Sequence, residues 1–298
     1  MDRGITFFIQ LVIEGLSTGS IYAALALAIV LVNRATGVIN FAQGSMAVLS
    51  TFVAYALTTQ LGFPLIASAL IAIAFGFVLG ALVERVIVRP FERGDHDTTV
   101  VVTIGLFVTF TGVAAVLFGY EPLQFPSFVA NQTFNLGGVF VDARALLNIV
   151  VLLVVMVLLQ LLFRATKLGL AMRAVADNPR SAALSGLPVS RLLMVGWGLA
   201  SAIGAVAGIL VAPQLFVSPV MLDFVLVYAL AAAILGGLDS PFGAVVAAFI
   251  IGVAENLAGA YIDVIGNDLK IAVPLILMIV ILIVRPQGLF GRKVVVRV

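Results

Sequence analysis

The sequence predicts an all-α fold: a polytopic bundle of about nine transmembrane helices (eight to ten), N-terminus outside and C-terminus inside. Three observations predict it. First, 63% of the 298 residues are hydrophobic and only 10% are charged, whereas an average soluble domain is about 45–50% apolar and about 25% charged. So few polar residues cannot cover a soluble globule, and the mean hydropathy of +1.25 agrees. Second, the apolar residues gather in stretches long enough to cross a bilayer core of roughly 30 Å, which takes about 20 residues per helix. Third, Lys and Arg concentrate in alternate connections between those stretches. This composition excludes a soluble enzyme, a disordered chain and a nucleic-acid module. The pI near 9.1 reflects a net charge of only +2, which is no nucleic-acid footprint. With no Cys and a single His, His96, disulfides, thiolate sites and multi-His metal centres are excluded.

The nine expected spans run approximately 5–32, 38–60, 63–84, 99–119, 144–164, 190–214, 222–238, 241–262 and 269–284. The first is too long for a signal-peptide core and has no convincing cleavage site, so no separate signal peptide is expected. It carries Gln10 and Glu14 and the small pair Gly15/Gly19. The second opens with Asn40 and Gln43, one turn apart. The third holds Gly76/Gly80, and the fifth holds Gln160. The sixth has a row of small residues at four-residue spacing: Gly196, Ala200, Gly204, Gly208 and Ala212. Helices in lipid associate through close packing that small residues permit, so this row predicts backbone contact. A sliding surface or pore wall is the sharper alternative. Between the seventh and eighth spans, 236–241 reads either as a tight turn or as a broken helix. The eighth span contains Glu255-Asn256. The ninth contains Pro274, which is expected to bend it.

Charge sets the orientation. With nine spans and the N-terminus outside, the inner connections hold Arg34, then Arg85, Arg89 and Arg93, then Arg164, Lys167, Arg173, Arg180 and Arg191, then Arg285, Arg292, Lys293 and Arg297. That is thirteen of the sixteen basic residues. Arg3, Arg144 and Lys270 fall outside. Glu14 and Glu255-Asn256 then lie in the outer half of the membrane. Polar groups at that depth face protein or water, so Asn40, Gln43, Glu255 and Asn256 are candidates for a polar translocation path. The plainer reading is hydrogen bonding between helices. There is no chain of carboxylates to support a proton relay.

The longest polar connections are 120–143 and 165–189, and the whole chain, 1–298, reads as a single membrane domain. In the second connection, Asn178-Pro179 is an N-cap followed by Pro at the first helical position. Gly186 and Pro188 supply the stop. The expected helix is under two turns long, is marginal alone, and therefore docks on something, either its own protein or a partner.

Several motifs are familiar. Ala182-Ala183-Leu184-Ser185-Gly186-Leu187-Pro188 resembles a degenerate form of the ATPase-docking pattern of ABC importer permeases, with Ser181 where that pattern has Glu. Gly15-Leu16-Ser17-Thr18-Gly19-Ser20-Ile21-Tyr22-Ala23, Val38-Ile39-Asn40-Phe41-Ala42-Gln43-Gly44, Gly236-Gly237-Leu238-Asp239-Ser240-Pro241-Phe242-Gly243 and Val284-Arg285-Pro286-Gln287-Gly288-Leu289-Phe290-Gly291 resemble the branched-chain amino-acid ABC permease family, Liv-type and H-like, across about 10–291. The resemblance implies a permease subunit of an ATP-driven importer in the bacterial cytoplasmic membrane. Implied partners are a second related permease, two cytoplasmic ABC ATPases and an extracytoplasmic substrate-binding protein. It also implies a cytoplasmic coupling loop at about 165–189, with Arg173, Asp177, Asn178, Ser185, Gly186 and Pro188 at the ATPase contact. Relatives of the family carry urea, short amides or other amino acids, so the substrate stays open.

The chain has no phosphate-cradling G-x-x-x-x-G-K-[ST] run. No cofactor of its own is expected, and ATP and Mg belong to partner subunits. No H-E-x-x-H run occurs either, and an intramembrane enzyme lacks a plausible nucleophile–base pair. A self-sufficient secondary transporter would need midplane ion-binding carboxylates and usually an inverted repeat. Tyr22-Ala23-Ala24-Leu25 and Tyr228-Ala229-Leu230-Ala231 share only a local likeness.

Overall fold

The computed structural model describes residues 3–91, 96–266 and 268–291. The expected positive charges Arg93, Arg292, Lys293 and Arg297 and the His96 side chain lie outside what it describes. The helices are α1 (Arg3–Thr36), α2 (Gln43–Tyr55), α3 (Leu65–Val83), α4 (His96–Phe118), α5 (Ala143–Ala165), α6 (Lys167–Asp177), α7 (Pro179–Leu184), α8 (Val189–Leu215), α9 (Asp223–Gly236), α10 (Pro241–Tyr261) and α11 (Ala272–Val284). Among the described residues, six helices are long and apolar enough to cross a membrane: Gly4–Thr36, Leu65–Phe91, Thr98–Phe118, Ala143–Ala165, Val189–Leu215 and Pro241–Tyr261. Asp223–Gly236 and Ala272–Val284 are apolar but shorter. The chain is therefore a helical, polytopic membrane protein. The stretch expected as a span at 38–60 is α2 continued by a π-helical turn, Ala56–Gln60.

The two polar connections hold structure of their own. A hairpin lies within 120–143. Strands β1 (Thr133–Leu136) and β2 (Val139–Asp142) pair antiparallel, Thr133 opposite Asp142 and Leu136 opposite Val139. Gly137 and Gly138 join them at φ 67° and 97°. Two successive positive φ values are what a two-residue hairpin turn needs, and glycine adopts them without a Cβ clash. The 165–189 connection holds α6 as well as the short helix expected there. One expectation is corrected: Pro274 is not inside a span it could bend. It stands in the first turn of α11, where a missing N–H leaves no helical bond unmade.

Contacts divide the chain into two compact units. The first comprises Met1–Val30, Val129–Leu152 and Val225–Val298. In it, Gly15 and Gly19 lie against the α10 backbone at Val253 and Ala248–Phe249, too close to admit a Cβ. The 236–241 segment is a tight turn between two helices: Ser240 Oγ accepts from Gly243 N at 3.0 Å, with Pro241 in the first turn. The 284–291 motif folds back onto this turn. Leu289 N donates to Leu235 O at 2.8 Å and Phe290 N to Gly236 O at 3.1 Å. Two of the motifs singled out in the sequence thus exist to pack on each other.

The second unit comprises Leu31–Phe128 and Leu153–Phe224. Its centre is α2, of which only Val53 and Tyr55 are not buried. The small-residue row of α8 faces it. Gly204 lies against Gln43 and Ala47, Gly208 against Thr51 and Ala47, and Gly196 against Ala35 and Met172. Ala200 and Ala212 are fully buried. The α3 pair packs on the same helix: Gly76 meets Ser201 and Ala205, and Gly80 meets the Trp197 carbonyl.

Candidate functional site

The α6–α7 segment is built from caps. Thr166 Oγ1 accepts from Gly169 N at 3.0 Å and starts α6. Asn178 Oδ1 accepts from Ser181 N at 2.9 Å and starts α7, with Pro179 at its first position. Gly186, at φ 80°, ends it. Gly186 N donates to Ala183 O at 3.0 Å and Leu187 N to Ala182 O at 3.1 Å. This pair of bonds is the Schellman closure, which needs a left-handed residue. Six residues could not hold a helix alone. Met172, Val175, Ala182, Leu192 and Leu193 supply the rest as one buried apolar cluster joining α6, α7 and the start of α8.

The proposed contact residues divide on this scaffold. Asp177, Asn178, Ser185, Gly186 and Pro188 are exposed. Leu184 between them is 86% exposed, a large apolar side chain with nothing of its own unit over it. Arg173 is half-buried instead. It lines a small cavity with Arg34, Phe163 and Met172, and its Nε is buried without a hydrogen-bond partner among the described residues. Arg34 stands over the Phe163 ring at 5.6 Å, a cation–π distance.

A charged pair that sequence reading passed over anchors the same end of the unit. Arg89 donates to Glu84 through Nε at 3.1 Å and Nη2 at 2.7 Å, and Nη2 also reaches Ser190 O at 3.1 Å. Glu84 is fully buried. The two residues are five apart, beyond the usual helical pairing of three or four. The π-helical turn Glu84–Val88 closes that spacing, because its bonds run between residues five apart. No periodicity in the sequence announces such a turn.

Asn40 and Gln43 come together as expected but face no open space. Both are fully buried. Asn40 Nδ2 donates to Gln43 Oε1 at 3.2 Å, Asn40 Oδ1 accepts from Ala42 N at 3.0 Å, and Gln43 Nε2 donates to Ala200 O at 3.0 Å. Asn40 turns the chain into α2, and Gln43 clamps α2 to α8.

In the first unit, Tyr22 donates to Glu255 Oε2 at 3.0 Å. Tyr22 and Tyr228 stack with centroids 4.5 Å apart and planes 5° from parallel. These tyrosines come from the two stretches with the local sequence likeness. Lys270 acts on the same carboxylate through its charge. Asn256, the next residue, bonds back to Gly252 O at 3.2 Å and turns toward a different, polar pocket lined by Gln10, Glu14, Ser17 and Thr18. Gln10 belongs to both α1 and the hairpin in effect. Its amide accepts from Phe140 N at 2.7 Å and donates to Phe140 O at 3.0 Å, as a neighbouring strand would. At the hairpin's end, Asp142 caps α5 and pairs with Arg144 at 2.8 Å. Hydrogen bonds from the Arg144 side chain hold the Asp142 carboxyl below its ordinary range, against a smaller opposing effect of burial.

A family model described as "Branched-chain amino acid transport system / permease component" matches residues 11–282. The chain belongs to this family. The match covers the α10 backbone cradle, the α2–α8 clamp and both caps of α7. Among curated proteins, the high-affinity branched-chain amino acid transport system permease protein LivH of Escherichia coli K12 is 29% identical over 313 residues, covering 100% of each chain. The corresponding BraD protein of Pseudomonas aeruginosa is 29% identical, covering 98% of each. The fructose import permease protein FrcC of Rhizobium meliloti is 26% identical over 73% of this chain and 62% of its own. As a member of this family the chain is a transport permease component, a multi-pass protein of the bacterial inner membrane.

Proposed function

We propose that this permease is the membrane subunit of an ATP-driven ABC importer and moves branched-chain or related hydrophobic amino acids across the cytoplasmic membrane by alternating access. The observation that carries the reading is the family match across 11–282, joined by full-length similarity to two proteins named for branched-chain amino acids. The two compact units act as one permease domain of nine spans, with the N-terminus outside and the C-terminus inside, as the distribution of Lys and Arg favours. The chain forms a complex with a second related permease, two cytoplasmic ATPases that bind ATP and Mg, and an extracytoplasmic binding protein that selects the substrate. It holds no cofactor of its own.

In this reading the α6–α7 segment, within 165–189, is the coupling element. Asp177, Asn178, Ser185, Gly186 and Pro188 present its surface, and the exposed Leu184 gives an ATPase an apolar knob to grip. Arg173 holds the segment to its own unit from beneath. ATP-driven closure of the ATPases pushes this segment, and the cluster of Met172, Val175, Ala182, Leu192 and Leu193 passes the push into α8. Glu255 and Asn256 line the translocation path. Asn40 and Gln43 serve it as a hinge clamp, holding α2 on the small-residue face of α8.

Similarity to a fructose import permease favours a second reading, in which the same machinery carries another small polar solute. One experiment separates these. The tagged chain is captured from native membranes in mild detergent and its companions identified by mass spectrometry. The reading predicts two ATPases and a second permease, and a co-purified binding protein that retains leucine, isoleucine or valine. A binding protein that retains only a sugar, urea or a short amide would move the substrate. An active complex without any ATPase would make the chain a secondary transporter.

A further inference from the structure

We propose that the polar pocket between the first half of α1 and the β1–β2 hairpin holds the ammonium end of the substrate, with Glu14 as its charged partner. This rests on the reading of the chain as an amino-acid permease. Gln10, Glu14, Ser17 and Thr18 fall at i, i+4, i+7 and i+8, on one face of a helix long and apolar enough to span the membrane. A polar stripe within a span faces protein or water, because lipid cannot solvate it. Here it faces a concave pocket of about 470 Å3, completed by Asp142 and Asn256. Small-molecule sites are concave and occupy roughly 300–1,000 Å3.

The charge left unpaired defines the ligand. Gln10 spends both donors, on Glu14 Oε1 at 2.8 Å and on Phe140 O, and its oxygen accepts from Phe140 N. It is fixed, and it fixes Glu14. Asp142 is already matched by Arg144 at 2.8 Å. Asn256 spends a donor on Gly252 O. Among the described residues Glu14 Oε2 and Asn256 Oδ1 accept no bond, while the Ser17 hydroxyl and the second Asn256 N–H are free to adjust to a ligand; Glu14, exposed to the pocket, is the one charge left open. No Lys or Arg of the described residues pairs with Glu14. An ammonium offers three N–H donors, a positive charge and no acceptor. Its charge answers the Glu14 carboxylate, which would repel a lone carboxylate.

The test uses the complete permease–ATPase complex in nanodiscs of phosphatidylethanolamine and phosphatidylglycerol, without the binding protein. Binding of tritiated L-leucine is competed with 3-methylbutylamine, which has the ammonium and no carboxylate, and with 4-methylpentanoate, which has the reverse. The amine should displace leucine and the acid should not. Glu14→Gln keeps the bond to Gln10 possible but removes the charge. It should weaken leucine and the amine together by about 10- to 100-fold, the loss expected for a charged hydrogen bond, and Glu14→Asp should restore most of it. If Glu14→Gln does not assemble, Asn256→Ala decides, with about a fivefold or greater loss of amine competition expected. Wild-type affinity in either assembled variant overturns the site, as does displacement by the acid, or wild-type transport with no leucine bound here. Loss of the second permease from the Glu14→Gln complex also overturns it, by assigning Glu14 to a partner's cation. A wild-type complex that shows no ATP-driven uptake at all fails the permease reading instead.

Discussion

Removing Arg89 should cost more than removing Glu84, although either change breaks the same ion pair. Arg89 is a third exposed on its side chain, while Glu84 is completely buried. In Glu84→Gln the guanidinium keeps its bond to Ser190 O and can turn toward water. The loss is that of one charged hydrogen-bond pair, about 1.5–3 kcal/mol. In Arg89→Met the apolar stem survives, but a carboxylate is left in the interior without its cation, and breaking a buried pair that way costs about 3–5 kcal/mol. The double variant, with neither charge buried, should recover part of the Arg89→Met loss, because well-packed neutral replacements of a buried pair are often tolerated. The assay is reversible unfolding of the chain in mixed micelles, titrated with SDS, for wild type, both single variants and the double. Equal costs for the two single variants, or a double variant worse than Arg89→Met, would refute the claim that Glu84 is held by Arg89 inside the fold.

Three further outcomes follow from the geometry. Ala183→Pro should break α7 inside its two capped ends and uncouple ATP hydrolysis from uptake while leaving the protein inserted; unchanged coupled uptake would remove 165–189 from the coupling role. Gly208→Leu should destabilise the α2–α8 contact by about 1–3 kcal/mol, the usual range for overpacking, because its side chain would meet Thr51 and the Ala47 carbonyl; SDS titration checks it, and a wild-type midpoint would contradict that packing. The folded state holds Asp142 below its ordinary value, so its stabilising effect is present above the unfolded value of about 3.9 and fades as pH falls through the folded value. Because the pair is part-exposed, the effect is under about 1 kcal/mol. Protection factors of the hairpin amides, which remove the intrinsic pH dependence of exchange, should fall from pH 5 to pH 3 in wild type and stay level in Asp142→Asn.

The legible parts of the fold were those whose signal is local and helical. Apolar length marked the six helices long enough to cross a membrane, Asn178-Pro179 and Gly186 marked both ends of α7, and four-residue spacing marked the α8 face that Gln43, Ala47 and Thr51 pack on. The hairpin was legible in principle: Gly137-Gly138 stands between Thr133–Leu136 and Val139–Asp142, the pattern for a two-residue turn. A search for membrane-length segments passes over four-residue strands. Helix α6 hid for a similar reason, since Met172 and Val175 make too short an apolar face to stand out beside 20-residue spans. The Glu84–Arg89 pair was not legible, because only the π-turn makes five residues a contact distance. The stacking of Tyr22 on Tyr228 was equally hidden, as nothing in 206 residues of separation announces it. Asn40 and Gln43 show the limit of residue-type reasoning. Uncharged amides suit a transport path and a buried clamp alike, and only their burial and their bonds to each other and to Ala200 O favour the clamp.

The central claim is that this chain moves its substrate by drawing on ATP hydrolysed in other subunits. Its most direct test is leucine uptake into proteoliposomes holding the captured complex, with the binding protein outside and ATP or a non-hydrolysable analogue sealed inside. The account predicts uptake with ATP alone, and none with the analogue or without the ATPase subunits. Uptake that persists without ATP, driven by an ion gradient or by none, would contradict it.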